Sequence, residues 1–99
     1  MRIRYTLQAQ RDLDSIYTYL DQRSPAAAQS VKSLIERRIS GLADFPFMAP
    51  KTSEPGIFEL TIVRYPYKVY YEVEGDEVRI LHIRDSRRRP WEPARGPIA

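Results

Sequence analysis

Residues 65–91, YPYKVYYEVEGDEVRILHIRDSRRRPW, constrain the chain more than any other stretch. Lys68, Val69, Tyr70, Tyr71, Glu72 and Val73 are rich in β-branched and aromatic side chains, which suit a pleated, half-buried surface. Glu74-Gly75-Asp76-Glu77 makes a short polar turn, in which Gly75 supplies positive φ at no steric cost. Residues 78–83, VRILHI, form the returning strand. A period of two puts Val78, Ile80 and His82 on one face and Arg79, Leu81 and Ile83 on the other. Both faces hold apolar residues, so this strand is expected inside a sheet. The chain then emits Arg84, Arg87, Arg88 and Arg89. A buried hairpin thereby carries guanidinium groups rigidly to its rim.

Upstream, residues 2–6 alternate charge with apolar bulk and read as a first strand with Ile3 and Tyr5 inward. Leu7 and Gln8 lead into a helix. Ala9, Leu13, Ile16, Tyr17 and Leu20 form one stripe at helical spacing, while Arg11, Asp12, Asp14 and Ser15 take the wet side. That helix ends near residues 21–23, because Ser24 precedes Pro25 and is biased away from helical angles. Ser24 then caps a second helix with Pro25 at its first position. Val31, Leu34, Ile35, Ile39 and Leu42 form the second stripe, with Glu36, Arg37 and Arg38 outside and Gly41 near the end. So short a connection packs the two helices as an antiparallel hairpin. Core packing explains both stripes without a cofactor. Residues 46–56 hold three prolines and a glycine and read as a loop, with Phe47 and Met48 tucked under the sheet. Residues 57–63 form a strand, and residues 64–67 turn into the central pair. The order β-α-α-β-β-β defines an α+β fold: a first strand, a helical hairpin, then a three-stranded antiparallel meander. The first strand returns to pair at an edge or beside the last strand.

With 99 residues the chain is one domain, expected over residues 1–91, with residues 92–99 as a flexible tail rich in breakers. Cysteine is absent, which removes disulfides, thiolate metal sites and a cysteine nucleophile, and suits the cytoplasm. No apolar run approaches the roughly 20 residues of a membrane span. No signal peptide is expected behind Met1, and no membrane role. The formal charge is only +3, but Arg84, Arg87, Arg88, Arg89 and Arg95 crowd one end. Such an end fits an anionic partner, either nucleic acid or an acidic protein, or else a solvated tail.

His82 is the only histidine. No ligand-spaced cluster surrounds it, so neither a metal nor any other cofactor is expected. A buried or edge position with a structural hydrogen bond is favoured for His82 over a general-base role. Metal-free RNA cleavage needs cations beside the scissile phosphate and a group to move the 2′-hydroxyl proton. Arg64, Lys68, Arg84 and Arg88 are candidates for the cations, and Trp91 or Tyr67 for stacking on a base. For each aromatic the simpler role is favoured: strand packing with a solvated hydroxyl for Tyr65, Tyr67, Tyr70 and Tyr71, and a staple fixing the tail to the body for Trp91.

Residues 65–71 (YPYKVYY), the strand 78–83 and Asp85-Ser86-Arg87-Arg88 together resemble the C-terminal half of RelE/ParE toxins of type II toxin–antitoxin systems. The resemblance extends to the initial strand, to Pro25-Ala26-Ala27 at the hairpin corner and to the Leu42-x-x-Phe45-Pro46 exit. It implies the RelE/ParE α+β fold, a toxin–antitoxin hetero-oligomer with a partly acidic antitoxin, and a role in plasmid stabilization or growth inhibition. It implies one of two targets: ribosome-bound mRNA, cut by the RelE-like branch, or DNA gyrase, poisoned by the ParE-like branch. For a nuclease, Lys68, His82 and Arg88 would be the catalytic group. For target or antitoxin binding, Arg64, Arg84, Arg87, Arg88, Arg89 and Trp91 are the expected contacts. Asp85-Ser86 stands where many relatives have His-Gly, and Lys68 replaces the usual strand arginine. These departures and the long hairpin favour the ParE-like branch and a non-enzymatic toxin. An inactive antitoxin-binding relative is the third reading.

Overall fold

The computed structural model describes residues 1–87. Arg88, Arg89, Trp91 and the expected boundary at residues 91/92 lie outside the described residues. The element order is β1 (Arg2–Tyr5), α1 (Leu7–Arg23), α2 (Pro25–Gly41), β2 (Phe58–Ile62), β3 (Tyr67–Glu74) and β4 (Glu77–Asp85).

Two capping residues set the helical hairpin. The Thr6 hydroxyl accepts from the Ala9 N–H at 3.1 Å and starts α1. Ser24 alone separates the helices and serves both. Its N–H donates to the Leu20 carbonyl at 2.8 Å, and its hydroxyl accepts from the Ala27 N–H at 3.2 Å. With Pro25 at the first position of α2, α1 cannot run on and the chain reverses within one residue.

The sheet order is β1-β4-β3-β2. β2, β3 and β4 form an antiparallel meander, with Gly75 at φ +61° in the β3–β4 turn. β1 pairs parallel with β4 in the register Arg2↔Glu77 to Tyr5↔Ile80. A parallel pair needs a crossover, and the helical hairpin begins that return. β4 is therefore an interior strand, as its two-faced sequence requires. Both helices lie on one sheet face. Val31, Ile35, Ile39 and Leu42 meet Leu60, Ile62, Val69, Tyr71, Val78 and Ile80, all almost wholly buried. Tyr71 is the largest of them; its ring stacks on Phe58 at 5.2 Å and its hydroxyl donates to the Pro46 carbonyl at 2.9 Å.

Two expectations are overturned. His82 does not share the inward face of Val78 and Ile80. Tyr70 faces His82 while Tyr71 faces Ile80, so Leu81 is an extra residue on β4. This β-bulge resets the alternation, and Ile83 takes the next core position at 2% exposure. Nor do Phe47 and Met48 tuck under the sheet; they are 64% and 47% exposed. Phe58 already fills the site beneath the loop, leaving Phe47 only the edge of the Phe58 ring at 5.7 Å.

The Tyr17 hydroxyl is buried with no hydrogen-bond partner among the described residues. Its pKa is raised, by burial first and then by Glu36. A phenol harder to ionise when folded contributes stability that is whole below its unfolded pKa and is lost as pH rises beyond it. Tyr17→Phe should leave stability equal or higher by up to about 1 kcal/mol at neutral pH, because an unpaired buried hydroxyl is removed. It should also make the loss above about pH 10 shallower. Urea unfolding at the two pH values checks both.

Candidate functional site

β1 is only four residues long and stops opposite Ile80, whereas β4 runs on to Asp85. The edge of β4 beyond Ile80 thus lacks a strand partner, and its backbone groups still need hydrogen bonds. Side chains of the β1–α1 region supply them. The Thr6 hydroxyl, in the same role as helix cap, donates toward the carbonyls of Ile80 at 2.9 Å and Leu81 at 3.2 Å. Six residues further on, the Asp12 carboxylate accepts from the Ile83 N–H at 3.0 Å and from Nδ1 of His82. A carboxylate has no proton to give, so the ring nitrogen facing it carries the hydrogen. The Asp12 and His82 side chains are only 13% and 15% exposed.

Beside this contact opens a cleft of about 510 Å³ between α1 and the end of the sheet. Asp12, Ser15, Ile16 and Tyr19 line one wall; Tyr67, His82, Ile83, Arg84, Asp85 and Arg87 line the other. Arg87 forks onto Asp85, with Nε at 3.0 Å and Nη2 at 2.7 Å, while its backbone N–H also reaches that carboxylate at 2.9 Å. These hydrogen bonds raise the Arg87 pKa further above its ordinary value. Arg64 sits in the β2–β3 turn at φ +84°. The Ser86 N–H donates to the Pro66 carbonyl and ties that turn to the end of β4. Arg64 therefore lies at the same end of the sheet as Arg84 and Arg87.

Lys68 is differently placed. It pairs with Arg84 in register on the face away from the helices, but its Nζ lies 2.8 Å from Glu59. Tyr70 donates to the same carboxylate at 3.2 Å. Burial first, then Glu59, raises the Tyr70 phenol pKa. Most of this face is a lattice of opposite charges: Arg2 and Arg4 approach Glu77, and Arg79 approaches Glu72 and Glu74.

Of the residues expected at a site, Arg84, Arg87, His82 and Tyr67 thus share one cleft, and Arg64 stands at its end of the sheet. Lys68 does not line that cleft. Asp12 is the cleft residue that sequence reasoning missed, having been assigned to the wet side of α1. The signal was present: residues 12, 15, 16 and 19 follow helical spacing and form the one α1 face that lines the cleft. Among the described residues no group of three or more His, Cys, Asp or Glu side chains is placed to hold a metal ion. No helix of the described residues is long and apolar enough to cross a membrane.

A strand, a helical hairpin and a three-stranded meander with an arginine-bearing end define the RelE/ParE class of toxin folds. The sequence model for the ParE toxin of the type II toxin–antitoxin system parDE matches residues 3–90. The "Putative toxin Y4kP" of Sinorhizobium fredii is 34% identical over 82 residues, covering 83% of this chain and 84% of its own. Among solved structures, the chromosomal ParDE toxin–antitoxin system of P. aeruginosa superposes with a TM-score of 0.74 at 29% identity, covering 84% of this chain and 92% of its own. The toxin–antitoxin complex RelBE2 of Mycobacterium tuberculosis has a TM-score of 0.57 at 22% identity, covering 83% and 93%, and shares the fold. The chain belongs to the ParE toxin family of type II toxin–antitoxin systems.

The positive φ of Arg64 costs a non-glycine residue roughly 1–2 kcal/mol. Arg64→Gly should therefore raise stability by about 0.5 kcal/mol after the entropy of the added glycine is subtracted. Arg64→Ala, equally strained, should leave it unchanged. Urea midpoints of the three proteins separate backbone strain from side-chain contacts.

Proposed function

We propose that this toxin inhibits growth by binding a protein target such as DNA gyrase, and that a cognate antitoxin neutralises it by covering the end that carries Arg64, Arg84 and Arg87. The observation that carries the reading is the pairing of Lys68 with Glu59 at 2.8 Å. A lysine that stabilises a scissile phosphate has to present its charge to that phosphate. This one is engaged by a carboxylate shared with Tyr70. His82 meanwhile turns to Asp12, on the opposite edge of β4. The two groups assigned to RNA cleavage with Arg88 are drawn toward opposite sides of the sheet. The charge lattice of the outer face also offers little net attraction to a phosphate backbone, whose binding depends on unpaired cations. The family match supports the same branch, since ParE-like toxins are those the sequence resemblance associates with gyrase. Both solved relatives are toxin–antitoxin systems, which supports an antitoxin partner here.

Two parallel assays test the proposal: gyrase-dependent supercoiling of plasmid DNA, and translation of a defined mRNA with cleavage mapped on ribosomes. The expected outcome is lost supercoiling with intact mRNA. Lys68→Gln should keep that activity within about threefold, because the Lys68 charge is held by Glu59 in a half-buried pair and is not presented to a target. Cut mRNA, with Lys68→Gln lowering the cutting rate by about a hundredfold, would replace this reading with a ribosome-dependent endonuclease.

A further inference from the structure

We infer that the α1/β4 cleft is the dock for this chain's own C-terminal segment, and that the Trp91 indole is the group it receives. Arg87, the last described residue, itself lines the cleft. Its backbone N–H bonds the Asp85 carboxylate at 2.9 Å, and the Ser86 N–H bonds the Pro66 carbonyl. These bonds hold the exit of the chain at the mouth of the cleft. Tyr67 and Tyr19, one on each wall, both act on the Arg87 charge, so the exit lies beside both rings. Residues 88–99, RRPWEPARGPIA, follow from that point. Trp91 is four residues on, a reach of roughly 13 Å when extended. The indole is therefore within reach of both walls.

The walls suit such a guest. Asp12 and Asp85 balance Arg84 and Arg87 in formal charge, so an added charge of either sign gains little. Ile16, Tyr19 and Tyr67 supply apolar surface, and the Ser15 hydroxyl can accept from an indole N–H. Tyr19 is 52% exposed, and Arg23 lies over its ring at 4.4 Å. The α1 wall is fixed against β4 by the bond from the Ile83 N–H to Asp12, so the cleft is preformed.

The chain's own segment is also the favoured occupant. Only Trp91 and Ile98 carry large apolar side chains in residues 88–99, and Trp91 is the nearer. Pro90 and Pro93 restrict the backbone on either side of it and lower the cost of ordering it. A tethered group competes at a high effective concentration, which a free partner has to exceed. Docking of Trp91 holds Arg88 and Arg89 beside Arg87 at the rim.

Trp91 is the only tryptophan, so its fluorescence in the full chain reads this contact alone. Acrylamide quenching is compared with that of a synthetic peptide of residues 88–99. The parent should be quenched at least about threefold less, as expected when a cleft covers most of a guest's surface. Tyr19→Ala, which removes an exposed ring from the wall, should raise quenching about twofold toward the peptide value. Phe47→Ala removes an equally exposed ring from the distant loop and should match the parent. In NMR spectra of the parent, the indole protons should show nuclear Overhauser contacts to the Ile16 methyl groups and the Tyr19 ring. Circular dichroism reports whether each variant is folded; the contacts in the parent decide the question if Tyr19→Ala is not.

Quenching of the parent equal to that of the peptide, shielding kept in full by Tyr19→Ala, or loss shared by Phe47→Ala would each overturn the inference. So would absent indole contacts, or shielding that falls on dilution, which would mean that a second copy's segment fills the cleft. No readout involves gyrase or an antitoxin, so the outcome is independent of the supercoiling assay.

Discussion

The edge of β4 beyond Ile80 is the constraint on which the rest of the structure turns. A strand in the interior of a sheet must satisfy its backbone groups along both edges. β3 does this along one edge for the full length of β4. β1 does it along the other for four residues only. The remainder falls to Thr6 and Asp12, which belong to the start of α1. The helical hairpin is thus joined to the sheet by polar contacts at its edge as well as by the apolar layer between them. Where β1 ends and α1 takes over, the sheet is no longer flanked by a strand, and the cleft forms there.

The bulge at Leu81 belongs to the same arrangement. Without the extra residue, strict alternation would turn His82 into the core beside Val78 and Ile80 and turn Ile83 outward. With it, Ile83 fills the core and His82 reaches round the strand edge to Asp12. A one-residue irregularity converts a would-be core histidine into part of the cleft wall, as bulges beside functional sites often do. Charge follows position in the same way. Cations on the outer sheet face stand opposite carboxylates of neighbouring strands and form a lattice. The arginines past the end of the lattice stand at the rim, beside the cleft.

Much of this was legible from the residues alone. Helical spacing and the Ser24-Pro25 junction located both helices and their reversal. Alternation and Gly75 located the last two strands, and the order of elements gave the α+β class. The candidate site was legible in part. Arginines 84 and 87 were recognised from their crowding, and Tyr67 and His82 were singled out for other reasons. Asp12 was not, because a polar residue on the flank of an apolar stripe looks like any solvated helix position. Lys68 was placed with the nucleic-acid candidates because its strand position gives no sign that Glu59 lies across the neighbouring strand.

The sequence by itself determined the elements, their order and the faces the helices bury, since these follow from local periodicity, capping and turn chemistry within a few residues. Tertiary structure alone decided which polar groups meet. Asp12 and His82 are 70 positions apart, and their contact depends on a parallel β1–β4 register and on one bulge. Register and bulge are cooperative outcomes of packing the whole sheet against the hairpin. No short stretch of sequence encodes either one, and so the cleft and the Asp12–His82 contact beside it appear only in the assembled fold.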